Sequence, residues 1–280
     1  MQRFLQFMGT AAIVVGAALF ASVSVSAGPI EDAFGKHAKG SAVTVDHTDW
    51  DTLLKSYVQA GADGLNRVDY LKFKAESHQK LKAYVVRLEA VDVARLDRPE
   101  QFAFWANLYN ARTVDIVLDK YPVASIKDIS LGGGVIATLK GGPWKAKVVR
   151  VAGQDLSLDD IEHGILRGLF KDPRVHYAVN CASVGCPNLP RTAFTGARLE
   201  AMLEEGARAY VNSPRGAVVV NGKLRTSNIY NWFQTDFGGN ERGVIDHVER
   251  YANPELKNMI GGTKEVGEFA YDWRLNDIKR

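Results

Sequence analysis

The sequence predicts an α+β fold: a helical N-terminal half packed on a small mixed or antiparallel sheet with further helices. Three patterns carry that expectation. Helical periodicity fills residues 47–121, Asn221-Gly222 separates two strand-like runs, and the closing GEFAYDWRLN alternates with the period of a strand.

Residues 28–45 read as a loose lead-in, because Gly28, Pro29, Gly35 and Gly40 interrupt any pattern. Asp46 is placed to cap a helix from His47 to about Ala60, with Trp50, Leu53, Leu54, Tyr57 and Val58 on its inner face. Gly61 and Gly64 close it. A second helix, from about Tyr70 to Ala90, carries Leu81, Tyr84, Val85 and Leu88 on one side and lysines on the other. Pro99 stands where a first-turn proline belongs, and Phe102, Trp105, Tyr109, Ile116 and Val117 continue a third helix until Pro122 stops it. Asn107 and Asn110 share a side of this helix. Their amides either tie the helix to a neighbouring loop or face a pocket.

Gly132–Gly134 and Gly141–Gly142 flank a short apolar segment; no Gly-Lys-Ser/Thr follows, so this is not a phosphate loop. A strand at 147–151 and a turn at 152–154 lead to a helix over Leu158–Phe170, where Ser157 and Asp160 form a capping box with Asp in place of Glu. Alternation predicts a strand over Arg174–Asn180. A helix over 197–211, the hairpin 217–226, an aromatic helical stretch at 228–238 and a final strand complete the order.

Before Glu31 the only charge is Arg3. An apolar run, Ala11–Val25, is followed by the small residues Val25-Ser26-Ala27, which suit cleavage after Ala27. Residues 1–27 are therefore expected to be a signal peptide, leaving a periplasmic or secreted chain with no membrane attachment. A retained anchor is the alternative, although the run is shorter than the roughly 20 residues a spanning helix needs. Residues 28–97 form the helical lead-in and 98–276 the main domain. Removing 1–27 lowers the formal net charge from +3 to +2, and no Lys/Arg block stands out, so the sequence carries no nucleic-acid footprint. Apolar residues at 46% and aromatics at 10% fit a folded globule.

The chemistry concentrates in SLDDIEHGILRGLFKDPRVHYAVNCASVGCPNL, which holds both cysteines, Cys181 and Cys186, with His163 and His176. On a helical wheel Leu158, Ile161, Ile165 and Leu169 form an apolar stripe; Glu162 sits at its edge and His163 on the other side. A carboxylate in that position is either paired or poised for proton transfer. Two cysteines in an exported chain form a bridge, or one is a nucleophile, or both join His163 and His176 around zinc. A nucleophile needs a base within hydrogen-bond reach. His176 is the first candidate and His163 the second, with Asn107, Asn110, Asn180, Glu162 or Asp272 orienting the base or holding an oxyanion.

FAFWANLYNA, LSLDDIEHGILR, DPRVHYAVNCASVGCPNL, IYNWFQTDF and YDWRLN together resemble the successive blocks of the domain of unknown function 547 family, over roughly residues 98–276. Ala106 stands where the family has a bulkier apolar residue. The resemblance implies that Asn107, Asn110, Glu162, His163, Arg174, His176, Cys181, Cys186, Asp272 and Trp273 hold motif positions; it names no reaction. Arg174, Asn180, Trp105 and Trp273 are the expected substrate contacts. At fold level the set is distantly similar to thiol hydrolases of the papain and transglutaminase kind, whose Cys-then-His order is reversed here, so any shared triad would be convergent. The expectation is an exported thiol-dependent hydrolase or acyl transferase acting on a small-molecule or peptide ligand, with no cofactor and no metal. The alternative is a noncatalytic binding domain with a structural Cys181–Cys186 bridge.

Overall fold

A computed structural model describes residues 29–131, 142–263 and 265–279. The expected signal peptide, and residues 132–141 of the glycine-flanked segment, lie outside the described residues. The fold is α+β, with helices in the first half and small sheets among further helices in the second.

Helix α1 (Pro29–Phe34) lies within the stretch expected to be a loose lead-in. Helix α2 (Thr48–Tyr57) opens with the Asp46 carboxylate accepting from the Thr48 N–H at 2.9 Å. It ends earlier than the periodicity suggests, because β1 (Val58–Ala60) pairs antiparallel with β2 (Asn66–Val68). Helix α3 (Tyr70–Glu89) is capped by Asp69. Helix α4 (Arg98–Lys120) is capped by Asp97, has Pro99 in its first turn and stops before Pro122. Almost every side chain from Glu100 to Leu118 is buried, so α4 is the axis of the fold rather than a surface helix.

After α4, β3 (Lys147–Val151) and β4 (Gln154–Ser157) form a hairpin about Ala152 and Gly153, both at positive φ. The capping box is reciprocal: Asp160 accepts from the Ser157 N–H at 2.7 Å, and Ser157 Oγ accepts from the Asp160 N–H at 3.1 Å. The helix it opens is not a regular α-helix, since Asp160–Arg167 is π-helical. Such wide turns are frequent at functional sites.

Arg174–Asn180 is not a strand. Val175–Ala178 is a helical turn, preceded by Pro173 and by the Asp172 carboxylate accepting from the Arg174 N–H at 2.8 Å. The Asp-Pro start signal outweighs the apolar alternation after it.

Asn221 and Gly222, at φ 52° and 74°, close the expected hairpin of β5 (Ala217–Val220) and β6 (Lys223–Ser227). The final strand β7 is only Glu268–Ala270 and pairs parallel with β6. Two apolar clusters result. The larger joins α1–α4, the β3–β4 hairpin and the π-helical segment. The smaller gathers Tyr177 with Ala207–Ile260. Among the described residues, no helix is long and apolar enough to cross a membrane.

Both clusters contain a buried imidazole. His47 Nδ1 meets Tyr84 Oη at 2.6 Å, and His247 Nε2 meets Tyr177 Oη at 2.8 Å. Burial first, helped by Arg87 and Arg250 respectively, lowers each ring to about 4. Above the unfolded value of about 6.5 both states are neutral and nothing is lost. As pH falls from there to about 4, only the unfolded chain takes the protons, so stability declines by up to about 3 kcal/mol per ring. Urea melts across this window should show that decline, and a His47→Phe, His247→Phe double variant should have a shallower slope.

Candidate functional site

Four asparagines and one glycine fix the loop that carries the sulfurs. Asn110 of α4 donates through Nδ2 to the Ala178 carbonyl at 2.8 Å and accepts the Asn180 N–H at 2.8 Å. Asn180 then straps both ends of the loop, accepting from the Ala182 N–H at 2.9 Å and donating to the Pro187 carbonyl at 2.6 Å. This strap holds Ala182 at φ 60°, an unusual conformation for a residue with a side chain. Asn276 reaches Asn180 Oδ1 at 3.4 Å, and Asn188 accepts from the Asn66 N–H at 2.9 Å.

The C-terminal segment lies alongside. Val184 and Gly185 donate to the carbonyls of Arg274 and Asp272, each at 2.8 Å. A Cβ at Gly185 would come within 2.8 Å of the Asp272 backbone nitrogen, so a side chain there would push the C-terminal segment away. Within this frame Cys181 and Cys186 form a disulfide, with Cα atoms 6.2 Å apart.

The sulfurs line a cavity of about 180 Å³. It lies along the seam between the two apolar clusters. Asp159, Glu162 and His163 from the π-helical region line it together with His176 and the disulfide. Trp144, Trp232, Tyr271 and Trp273 form an aromatic wall, with Tyr271 and Trp273 centroids 4.6 Å apart and Trp232 and Trp273 5.6 Å apart.

Hydrogen bonding assigns the protons. His176 Nε2 lies 2.7 Å from Asp236 Oδ2, and Arg167 clamps the same carboxylate at 2.6 and 3.1 Å. Burial pushes Asp236 up, but the hydrogen bonds from His176 and Arg167 outweigh it and hold the carboxyl well below its usual range. An ionised Asp236 can only accept, so Nε2 carries the proton and the neutral ring keeps its lone pair on Nδ1. Burial lowers His176 despite Asp236, which keeps the ring neutral. Its plane stacks on Phe233 at 4.5 Å. His163 differs: Arg167 donates to its Nδ1 at 3.3 Å, so that lone pair is engaged, and its Nε2 faces Asp159 at 3.8 Å. Burial raises Asp159 against the opposing pull of His163, and the Glu162 carboxylate adds to the rise.

Three donors surround the sulfurs. The Cys181 N–H points at Cys186 Sγ at 2.9 Å, and Tyr271 Oη lies 3.2 Å from Cys186 Sγ and 3.1 Å from Cys181 Sγ. Ser183 Oγ is 3.2 Å from Cys181 Sγ. Burial raises the Tyr271 phenol well above its ordinary value, so it remains a donor. Behind the loop, the largely buried Arg215 donates to the carbonyls of Val184 and Cys186.

The residues expected from sequence therefore divide. Glu162, His163, His176, Cys181, Cys186 and Trp273 meet at the cavity. Asn107 and Asn110 do not line it. Asn107 grips the Phe194 backbone at both ends, donating at 2.8 Å and accepting at 3.0 Å. Asn180 acts inside the loop, and Trp105 packs in the core against Phe34 and Phe104. Arg174 pairs with Asp172 and Glu200, and the Asp272 carboxylate pairs with Arg274. The His/Cys zinc arrangement has no free thiolate, because the sulfurs are bonded to each other.

Asp159, Tyr271, Trp144 and Trp232 join the lining and Asp236 holds His176, beyond the residues the sequence points to. Asp159 had a signal, since it stands one turn before His163. Tyr271 had one too, sharing a strand face with Trp273. Asp236 had none, because its partner lies sixty residues away.

Residues 93–211 match the family model described as Protein of unknown function, DUF547, and the chain carries a domain of that family there. The match spans α4, the π-helical segment and the sulfur loop; the segments bearing Asp236 and Tyr271 lie beyond it. No curated protein and no solved structure matches the chain.

Asn110→Ala removes the donor for the Ala178 carbonyl and the acceptor for the Asn180 N–H, both buried. The expected cost is about 2–4 kcal/mol in urea unfolding, with the loss of the near-UV signal of the cavity tryptophans preceding global unfolding.

Proposed function

We propose that this chain is an exported thiol enzyme, a cysteine-dependent hydrolase or acyl transferase, whose cysteines rest as a disulfide. One observation carries the reading: both sulfurs line the same cavity as His176, whose ring is held from behind by Asp236. His176 has the features of a general base, a neutral ring with Nδ1 basic and Nε2 held by an ionised carboxylate. Asp236 takes the orienting role for which the asparagines were the sequence candidates.

The active form requires reduction by an external dithiol. Its thiolate attacks Cys181 Sγ, the less buried sulfur, and the S–S bond breaks with the electron pair leaving on Cys186. The second thiol of the reductant then displaces Cys181 and leaves as the oxidised disulfide. A thiolate on Cys186 would receive the Cys181 N–H and the Tyr271 O–H, with the Arg215 cation behind the loop; all three lower a thiol pKa. His176 takes the Cys186 proton on Nδ1, the resulting thiolate attacks an acyl carbon, and the leaving group departs with that same proton returned by the imidazolium. Water or an acceptor nucleophile then releases the acyl group.

The second reading, a noncatalytic binding domain with a structural bridge, is favoured by the disulfide itself. Export through residues 1–27 belongs to both readings.

Alkylation separates them. Without reductant neither cysteine should label. After dithiothreitol, Cys186 should label at pH 6–7 well before Cys181, and Tyr271→Phe should slow that labelling about tenfold. If both cysteines label only above about pH 8.5, as ordinary thiols do, the thiol-enzyme reading fails and the bridge remains.

A further inference from the structure

We infer that the cavity binds an organic cation: a primary or quaternary amine attached to an apolar body. This goes beyond the thiol reading and does not depend on it, since the groups concerned are present with the disulfide intact.

The lining is unusual in its charge. Asp159 and Glu162 supply two carboxylates, and among the described residues neither Lys nor Arg lines the cavity. Two of the nearby cations are engaged elsewhere. Arg167 is clamped to Asp236 and lies over Phe233 at 4.5 Å. Lys147 is paired with Asp160 at 2.5 Å. Lys145 acts on Asp159 only through its charge, and His163 lies 3.8 Å from that carboxylate. His176 is held neutral by burial and contributes no compensating charge.

Trp144, Trp232, Tyr271 and Trp273 line the same cavity, with the Trp144 carbonyl accepting from the Asp159 N–H at 3.0 Å. Aromatic faces carry negative charge density and attract cations, tryptophan most strongly. The wall already shows this property, because Lys127 Nζ lies 5.1 Å from the Trp273 ring centre. Trp232 is 44% exposed, a large apolar side chain left uncovered at the cavity. A ligand with an apolar body would cover that indole and place its ammonium toward Asp159 and Glu162. An anion would meet two carboxylates and ring faces of the same sign. A neutral apolar ligand would cover the rings but bring no charge to Asp159 and Glu162, whose neighbours are His163 at 3.8 and 3.9 Å and, for Glu162, the Tyr109 hydroxyl.

Three probes of the same shape and different charge test this: phenethylammonium, phenethyl alcohol and phenylacetate, titrated at pH 7 into the oxidised full chain with tryptophan fluorescence and calorimetry. The ammonium is expected to bind about tenfold more tightly than the alcohol, and phenylacetate more weakly than either. Glu162→Gln should abolish most of the ammonium's advantage while leaving the alcohol unchanged. Trp232→Ala, at an exposed position, should weaken all three that bind, with the thermal melt of each variant checking the fold. Equal affinity for ammonium and alcohol, a preference for phenylacetate, or no saturable binding of the ammonium would each overturn the inference. All of these measurements use the disulfide form. A failure here therefore leaves the labelling of reduced Cys186 intact, and a failure of that labelling leaves cation binding intact.

Discussion

The strap made by Asn110 and Asn180 is the constraint on which the site depends. Buried backbone groups need partners, and a loop that crosses a core cannot take them from water. Here the side-chain amide of one asparagine satisfies the Ala178 carbonyl and the Asn180 N–H, and the next asparagine satisfies the Ala182 N–H and the Pro187 carbonyl. The sequence from the helical turn to Pro187 is thus tied to the most buried helix of the molecule. Asparagine has poor helix propensity, and α4 tolerates two because each replaces a missing strand partner.

That attachment also explains the position of the cavity. Val175 and Ala178 pack in the larger apolar cluster while Tyr177, between them, packs in the smaller one. A strand would have sent alternate residues to opposite faces; the helical turn instead spreads them across the seam. His176 then faces Asp236 and Phe233 from the segment after the β5–β6 hairpin. The C-terminal segment closes the arrangement by pairing with the sulfur loop, which brings Tyr271 to the disulfide. Three stretches far apart in sequence are needed to make one small cavity.

What could be read in advance follows from which signals are local. Helices α2, α3 and α4, the Ser157–Asp160 box and the Asn221-Gly222 hairpin are written in caps, prolines and turn residues, and these were legible. Glu162, His163, His176 and the cysteines were legible as a cluster because they share one stretch. Arg174–Asn180 folds as a helical turn and not the expected strand because a period of two over a few residues is weak evidence beside an Asp-Pro helix start. The π-helical turn has no pattern of its own and depends on packing. Asp236 owes its role to a partner that only the folded chain supplies.

The disulfide is best understood from what the loop would do without it. A bridge across so few residues restricts the unfolded chain by only about 2 kcal/mol in the chain-entropy account. The same loop is already held by Asn180, by the C-terminal segment, by Arg215 and by Tyr210, whose hydroxyl donates to the Gly185 carbonyl at 2.6 Å. Each of those bonds contributes about as much as a typical buried hydrogen bond, near 1 kcal/mol, and together they exceed the bridge. A cross-link that the surrounding structure makes largely redundant for folding, yet whose sulfurs face a cavity and collect hydrogen-bond donors, is poorly explained as a staple. The donors on Cys186 Sγ favour negative charge there, which is useful to a sulfur that must leave or attack as a thiolate and of no use to one that merely bridges.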